Sequence, residues 1–256
     1  MMYRITLAAA LSLFAIPLGA QWLDWPTPGI PRSADGKPNL EAPAPRAADG
    51  KPDLSGMWHA QTNAYRFDVI QDLKDESIFR PAAEAVFLQR VKDLRRQDPV
   101  TNCLPSGPSE MLNSRYRLMQ TPAMIGILYE DGMGRYRQIY TDGRALPEDP
   151  NPAWLGYSVG HWEGDTLVVQ SIGFNGKAWM DQAGLPTSEA LKTTERFHRT
   201  DFGHMDITTT IDDPVDYKKP WTVTQPTVLF PDTDLLEHVC NENNKDLEHL
   251  SGKNKP

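Results

Sequence analysis

Glu195 is the residue whose type and surroundings point most directly to chemistry. It stands in Leu191-Lys192-Thr193-Thr194-Glu195-Arg196-Phe197-His198-Arg199. In a β-strand this stretch alternates, with Leu191, Thr193, Glu195 and Phe197 on one face and Lys192, Thr194, Arg196 and His198 on the other. If Leu191 and Phe197 face a core, Glu195 lies in an apolar interior, where a carboxylate must be paired, hydrogen-bonded or protonated. Two readings stand side by side. Glu195 is a general acid/base or a ligand-orienting group in a barrel cavity, or it is one half of a structural ion pair with an arginine such as Arg137 or Arg144. Asp142-Gly143-Arg144 reads first as a turn, and otherwise as a barrel-mouth pair whose arginine fork orients a carboxylate or a sugar hydroxyl. His161 is either a proton shuttle near neutral pH or an ordinary half-buried strand residue. Glu195, Asp142 and His161 form the candidate catalytic set of an enzyme. Arg144, Trp162 and Phe197 form the candidate ligand-binding set.

Metal and cofactor chemistry has little to stand on. His238, Glu242, Asp246 and His249 fall at i, i+4, i+8 and i+11, one stripe of a helix over 238–250. Imidazole and carboxylate ligands suit zinc or another divalent ion. A stripe four turns long brings at most two neighbours to one ion, and Leu236, Val239, Leu247 and Leu250 lie opposite it, as in an amphipathic helix. The chain has no His-Glu-x-x-His and no Cys-x-x-Cys, so no metal is expected. A Gly-x-Gly-x-x-Gly and a Walker loop are also missing. No cofactor is expected.

The segments that must position these residues begin with a leader. Met1–Ala20 has one early charge, Arg4, an apolar run from Ile5, and Leu18-Gly19-Ala20 before a polar, proline-rich stretch. This is the layout of a signal peptide cut after Ala20, and the run is short of the ~20 residues that span a bilayer. A secreted or periplasmic protein with no membrane span after signal removal is expected. Loss of Arg4 takes the formal net charge from −8 to −9. That acidity, without a basic cluster, argues against nucleic acid and anionic membrane surfaces and leaves a small-molecule ligand as the expected partner. Nothing in the sequence fixes an oligomeric state. In an oxidising compartment the two cysteines, Cys103 and Cys240, are expected to form a disulfide.

Residues 21–53 form a Pro-rich arm in which Ala34-Asp35-Gly36-Lys37-Pro38-Asn39-Leu40 returns as Ala48-Asp49-Gly50-Lys51-Pro52-Asp53-Leu54. Each copy reads as a turn, and Trp22 or Trp25 is the expected anchor. One main helix is expected at Pro81–Arg96, packed by Ala83, Phe87, Val91 and Leu94. Strands follow at Arg115–Gln120, Ala123–Tyr129, Arg135–Thr141, Tyr157–Trp162, Thr166–Ile172, Leu191–Arg199, His204–Ile211 and Trp221–Phe230. Gly56-Met57-Trp58 is a first strand, and a C-terminal tail starts near 231. Glu163-Gly164-Asp165 is the strongest hairpin signal, with Asp131-Gly132-Met133-Gly134 another. Residues 54–256 thus read as one mainly β domain, an antiparallel barrel or sandwich.

Three stretches carry a resemblance. They are Gly50-Lys51-Pro52-Asp53-Leu54-Ser55-Gly56-Met57-Trp58, the block from Gly156 to Val169 centred on His161-Trp162-Glu163-Gly164-Asp165, and Ser188-Glu189-Ala190-Leu191 with Thr194-Glu195-Arg196-Phe197. The chain resembles an uncharacterised family of secreted proteins from soil-type bacteria. Its Gly-x-Trp on a first strand is similar to the lipocalins (calycins). The resemblance implies secretion and a lipocalin-like barrel, and it brings no activity. Two functions are therefore expected in competition. One is a protein that binds a small apolar or amphipathic molecule in a barrel cavity. The other is a lyase, isomerase or hydrolase acting on a carbohydrate or phenolic compound through acid/base residues in that cavity.

Overall fold

Alternation decides the architecture. In Met124-Ile125-Gly126-Ile127-Leu128-Tyr129 and in His204-Met205-Asp206-Ile207-Thr208-Thr209-Thr210-Ile211 every second residue is buried, as in strands with one face on a core. The computed structural model describes residues 25–62, 64–73, 78–107, 115–130, 136–240 and 242. Nine strands are present: β1 (Gly56–Ala60), β2 (Tyr116–Gln120), β3 (Met124–Tyr129), β4 (Tyr136–Tyr140), β5 (Tyr157–Glu163), β6 (Thr166–Ile172), β7 (Lys192–Arg199), β8 (His204–Asp212) and β9 (Trp221–Leu229). They pair in chain order, and β9 returns to β1, which closes a barrel.

An odd number of strands cannot alternate direction all the way round a closed ring. One neighbouring pair must run parallel, and here it is β4 and β5, joined by only two residue pairs, Ile139–Ser158 and Tyr140–Val159. A parallel pair needs a long crossover instead of a tight turn, which is the role of residues 141–156. The other eight pairings are antiparallel.

Leu54, Trp58, Leu118, Ile125, Ile127, Ile139, Leu167, Val169, Phe197, Met205, Ile207 and Leu229 fill much of the interior. The Trp58 indole donates to the Leu54 carbonyl at 3.0 Å, and the Arg199 guanidinium lies 4.9 Å from its ring and 5.0 Å from that of Phe202. Arg199 also donates to the Asp53, Asp201 and Phe202 carbonyls, tying the end of β7 to the arm. Burial holds its pKa down to about 10. Gly56, at φ 142, needs to be glycine: a Cβ there would stand 2.7 Å from Leu229 Cδ1.

The arm repeat folds into two matching clips. Arg32 bridges to Pro38 and Arg46 to Pro52. Nη1 of each arginine donates at 2.9 Å to the glycine carbonyl of its own copy, Gly36 or Gly50. Each then reaches a carboxylate of the main domain, Arg32 to Asp232 and Arg46 to Asp165. These arginines, with Leu40 packed on Gly203, are the anchors. Trp25 is 75% exposed, and Trp22 lies outside the described residues. The expectation of a tryptophan anchor is corrected for Trp25, because the arm is held by ion pairs and backbone bonds such as Gly203 N–H to Leu40 O.

After a short helix, α1 (Ala64–Phe67), the main helix, α2 (Pro81–Lys92), packs Ala83 and Phe87 into a second apolar cluster with Phe174, Met180, Leu185, Ile211, Tyr217 and Trp221. α2 begins at Pro81 as expected and stops at Lys92, short of Arg96. Leu94 and Arg95 take positive φ, and Arg95 turns back to hold the buried Asp98. Ala83 is buried and Phe87 stacks on Phe79. Val91 and Leu94 are exposed, so the expected four-residue packing face is half that length. Cys103 and Cys240 are joined by a disulfide. In the tail, residues 233–239 have no regular structure, so the expected helix does not begin at His238; Asp246 and His249 lie outside the described residues. The leader at 1–20 and the turn at 131–134 also lie outside them.

Candidate functional site

The inward positions of β4 to β8 place a polar belt inside the barrel. Arg137 comes from β4, Ser158 from β5, Ser171 from β6, Glu195 from β7 and Thr209 from β8, and all are buried. Arg137 lies against Glu195 in a bidentate pair: Nη1 donates to Oε1 at 3.0 Å, and Nη2 to Oε2. Nε donates to Ser158 Oγ at 3.0 Å and Nη2 to Ser171 Oγ at 2.9 Å, and the two hydroxyls are 2.8 Å apart. Burial opposes the Arg137 charge, but the charge and hydrogen bonds of Glu195 outweigh it, and its pKa stands above the ordinary value. Burial raises the Tyr116 phenol beside this belt. Among the described residues, the hydroxyls of Thr193 and Thr209 and the indole N–H of Trp221 are buried with no hydrogen-bond partner.

The belt is reached at the weak seam. Where β4 and β5 lose contact, a cleft of about 290 Å³ opens, lined by Tyr136, Tyr140, Trp154 and Tyr157, with Arg137 and Ser158 also on its wall. Tyr140 and Tyr157 stack at 5.3 Å. Arg144 lies over Tyr140, 3.8 Å from its ring centre, and its Nη1 donates to the Tyr157 hydroxyl at 3.0 Å. A larger groove of about 750 Å³ runs along β6 and β7, between Glu148 and Asp149 of the crossover and the Gln170, Lys192, Thr194 and Thr210 side of the barrel. It also touches Ser171 and Thr193 of the belt.

The sequence candidates are thus separated. Glu195 is inward, as alternation requires, and its partner is Arg137. Asp142 and Arg144 do meet, through Nε and Nη2 of the arginine, but on the outside beside the cleft. His161 is exposed and faces Glu163 at 3.3 Å, far from a half-buried setting. Glu195, Asp142 and His161 therefore share no cavity. Phe197 is core, and Trp162 packs against the same core. Among the described residues, no group of three or more His, Cys, Asp or Glu is placed to hold a metal ion.

Tyr136, Tyr140, Trp154 and Tyr157 went unremarked in the sequence. Their signal is the spacing between two confident strands: 16 residues separate Tyr140 from Tyr157, too many for a hairpin and enough for a crossover flanked by aromatics. Comparisons with protein-family models, curated proteins and solved structures find no match to this chain, so the fold and these side chains carry the functional reading.

Proposed function

We propose that the protein is a secreted or periplasmic binding protein that holds a small amphipathic molecule in the cleft between β4 and β5. The observation that supports this is four aromatic side chains gathered at the one place where the barrel wall is held by two residue pairs. A pocket of mostly apolar and aromatic lining with a few polar groups is the usual form of a small-molecule site. Most of the interior is filled by side chains, so the seam offers room that the core does not. The disulfide fits an oxidising compartment. Binding is preferred to catalysis because the Glu195 carboxylate is committed to Arg137, and no second ionisable candidate joins it.

Native mass spectrometry of protein isolated from its own host tests the reading. A bound small-molecule mass is expected, and it should be lost in the Trp154→Ala, Tyr157→Ala double variant with the melting temperature held. A mass retained by that variant would place the ligand elsewhere, and turnover of it would revive the enzyme reading.

A further inference from the structure

We infer that the molecule taken at the β4–β5 cleft is an uncharged oligosaccharide. This rests on the cleft being the binding site, and it follows from charge and spacing there. Among the described residues, Arg137 is the one charged residue on the cleft wall, and Glu195 answers it in a buried bidentate pair. Arg144, at the edge, is answered by Asp142. A carboxylate ligand would have to displace one of these partners. A cationic ligand would meet no free carboxylate among the described residues of the cleft wall. What stays available is the exposed ring of Tyr136 and neutral polar groups, since Arg144 already lies over the Tyr140 ring.

Their order along β4 matters. Arg137 and Ile139 point inward, so Tyr136, Gln138 and Tyr140 share the outer face. A strand advances about 3.4 Å per residue, which sets the two tyrosines roughly 13–14 Å apart with an amide between them. That is a span of two to three linked sugar rings. A pyranose offers an aliphatic C–H face and an equatorial rim of hydroxyls, and the exposed Tyr136 ring beside the Gln138 amide, with the Tyr140 edge beyond it, matches this alternation. An apolar aromatic ligand fits less well, because Tyr136 is 62% exposed and would leave it half in water. The Tyr140–Tyr157 wall is preset, since Arg144 stacks on one ring and bonds the hydroxyl of the other. Little ordering is then required of the protein on binding.

The test is an array of neutral and anionic glycans probed with the full mature protein, with p-cresol followed in solution by saturation-transfer NMR as a non-sugar control. Neutral glycans of two or more rings are expected to bind. Tyr136→Ala, at an exposed position that leaves the fold intact, should weaken that binding at least tenfold, and Gln138→Leu should weaken it as well. Anionic glycans binding as tightly as neutral ones would overturn the inference, as would neutral binding that survives both Tyr136→Ala and Tyr157→Ala. If p-cresol binds, is lost in Tyr157→Ala, and no glycan binds, the saccharide assignment fails and the cleft remains the site. If neither glycan nor p-cresol binds, both fail.

Discussion

Replacing Glu195 by Gln removes one charge from a pair whose side chains are 4% and 1% exposed. The Arg137 guanidinium then keeps two serine hydroxyls and loses its counter-ion in a place that water barely reaches. Leaving a buried charge without its partner costs about 3–5 kcal/mol. For a chain of this size each kcal/mol moves the melting temperature by roughly 2–4 °C, so the variant should melt roughly 6–20 °C lower. Urea denaturation with the disulfide intact gives the same loss as a free energy. The double replacement Arg137→Met, Glu195→Leu should recover most of it, because a buried pair exchanged for apolar residues of similar volume is often close to neutral. The measured coupling between the two sites separates a pair effect from general disturbance of the interior. A Glu195→Gln protein that melts with the wild type would refute the reasoning, since it would mean that the carboxylate is solvated or protonated in the native state.

The disulfide closes a loop of 137 residues, and by chain-entropy arguments its loss through Cys103→Ala, Cys240→Ala should lower stability by roughly 4–5 kcal/mol; thiol titration of the denatured, unreduced wild type should find no free thiol, and two free thiols would contradict the pairing. Burial pushes the carboxyl groups of Asp181 and Asp216 up to about 6. The folded chain therefore holds protons that the unfolded chain has released between about pH 4 and pH 6, so stability rises as pH falls through that window. The arginine-paired carboxylates Asp142, Asp165 and Asp232 are held below their ordinary values and give up their contribution only under more acid conditions. Thermal melts should thus peak near pH 4, and a melting temperature that declines steadily from about pH 6 to 4 would count against this assignment.

The strand pattern was legible because each strand buries one face against a packed interior, so that burial follows a period of two. All nine segments were readable within a residue or two at either end. Glu195 could be placed inward for the same reason, on the strength of Leu191 and Phe197 alone. The end of α2 was not legible: Val91 and Leu94 continue the helical period, and the chain leaves it so that Arg95 can reach the buried Asp98. The choice between Arg137 and Arg144 as partner for Glu195 depended on which residues meet across the barrel, which no local pattern contains. The same holds for the arm. The repeat announced two turns, but the carboxylates that hold them, Asp165 and Asp232, lie 119 and 200 residues away from their arginines. The cleft was hidden for a topological reason, since it arises from the parity of the strand count and not from any one segment.

The covalent bond between Cys103 and Cys240 has a mechanical consequence. Strands β2 to β9 lie inside the loop it closes, while the arm and β1 lie outside. Tension applied between the two chain ends passes through the sulfur bridge and bypasses eight of the nine strands. Under such a load the clips at Arg32 and Arg46 and then β1 can be drawn off, opening the ring between β2 and β9, but the remaining sheet stays off the line of force. The fold is built as a cuff with a detachable fastening, in which stretching ends at the bridge while the seam, the belt and the aromatic cleft lie on the shielded side.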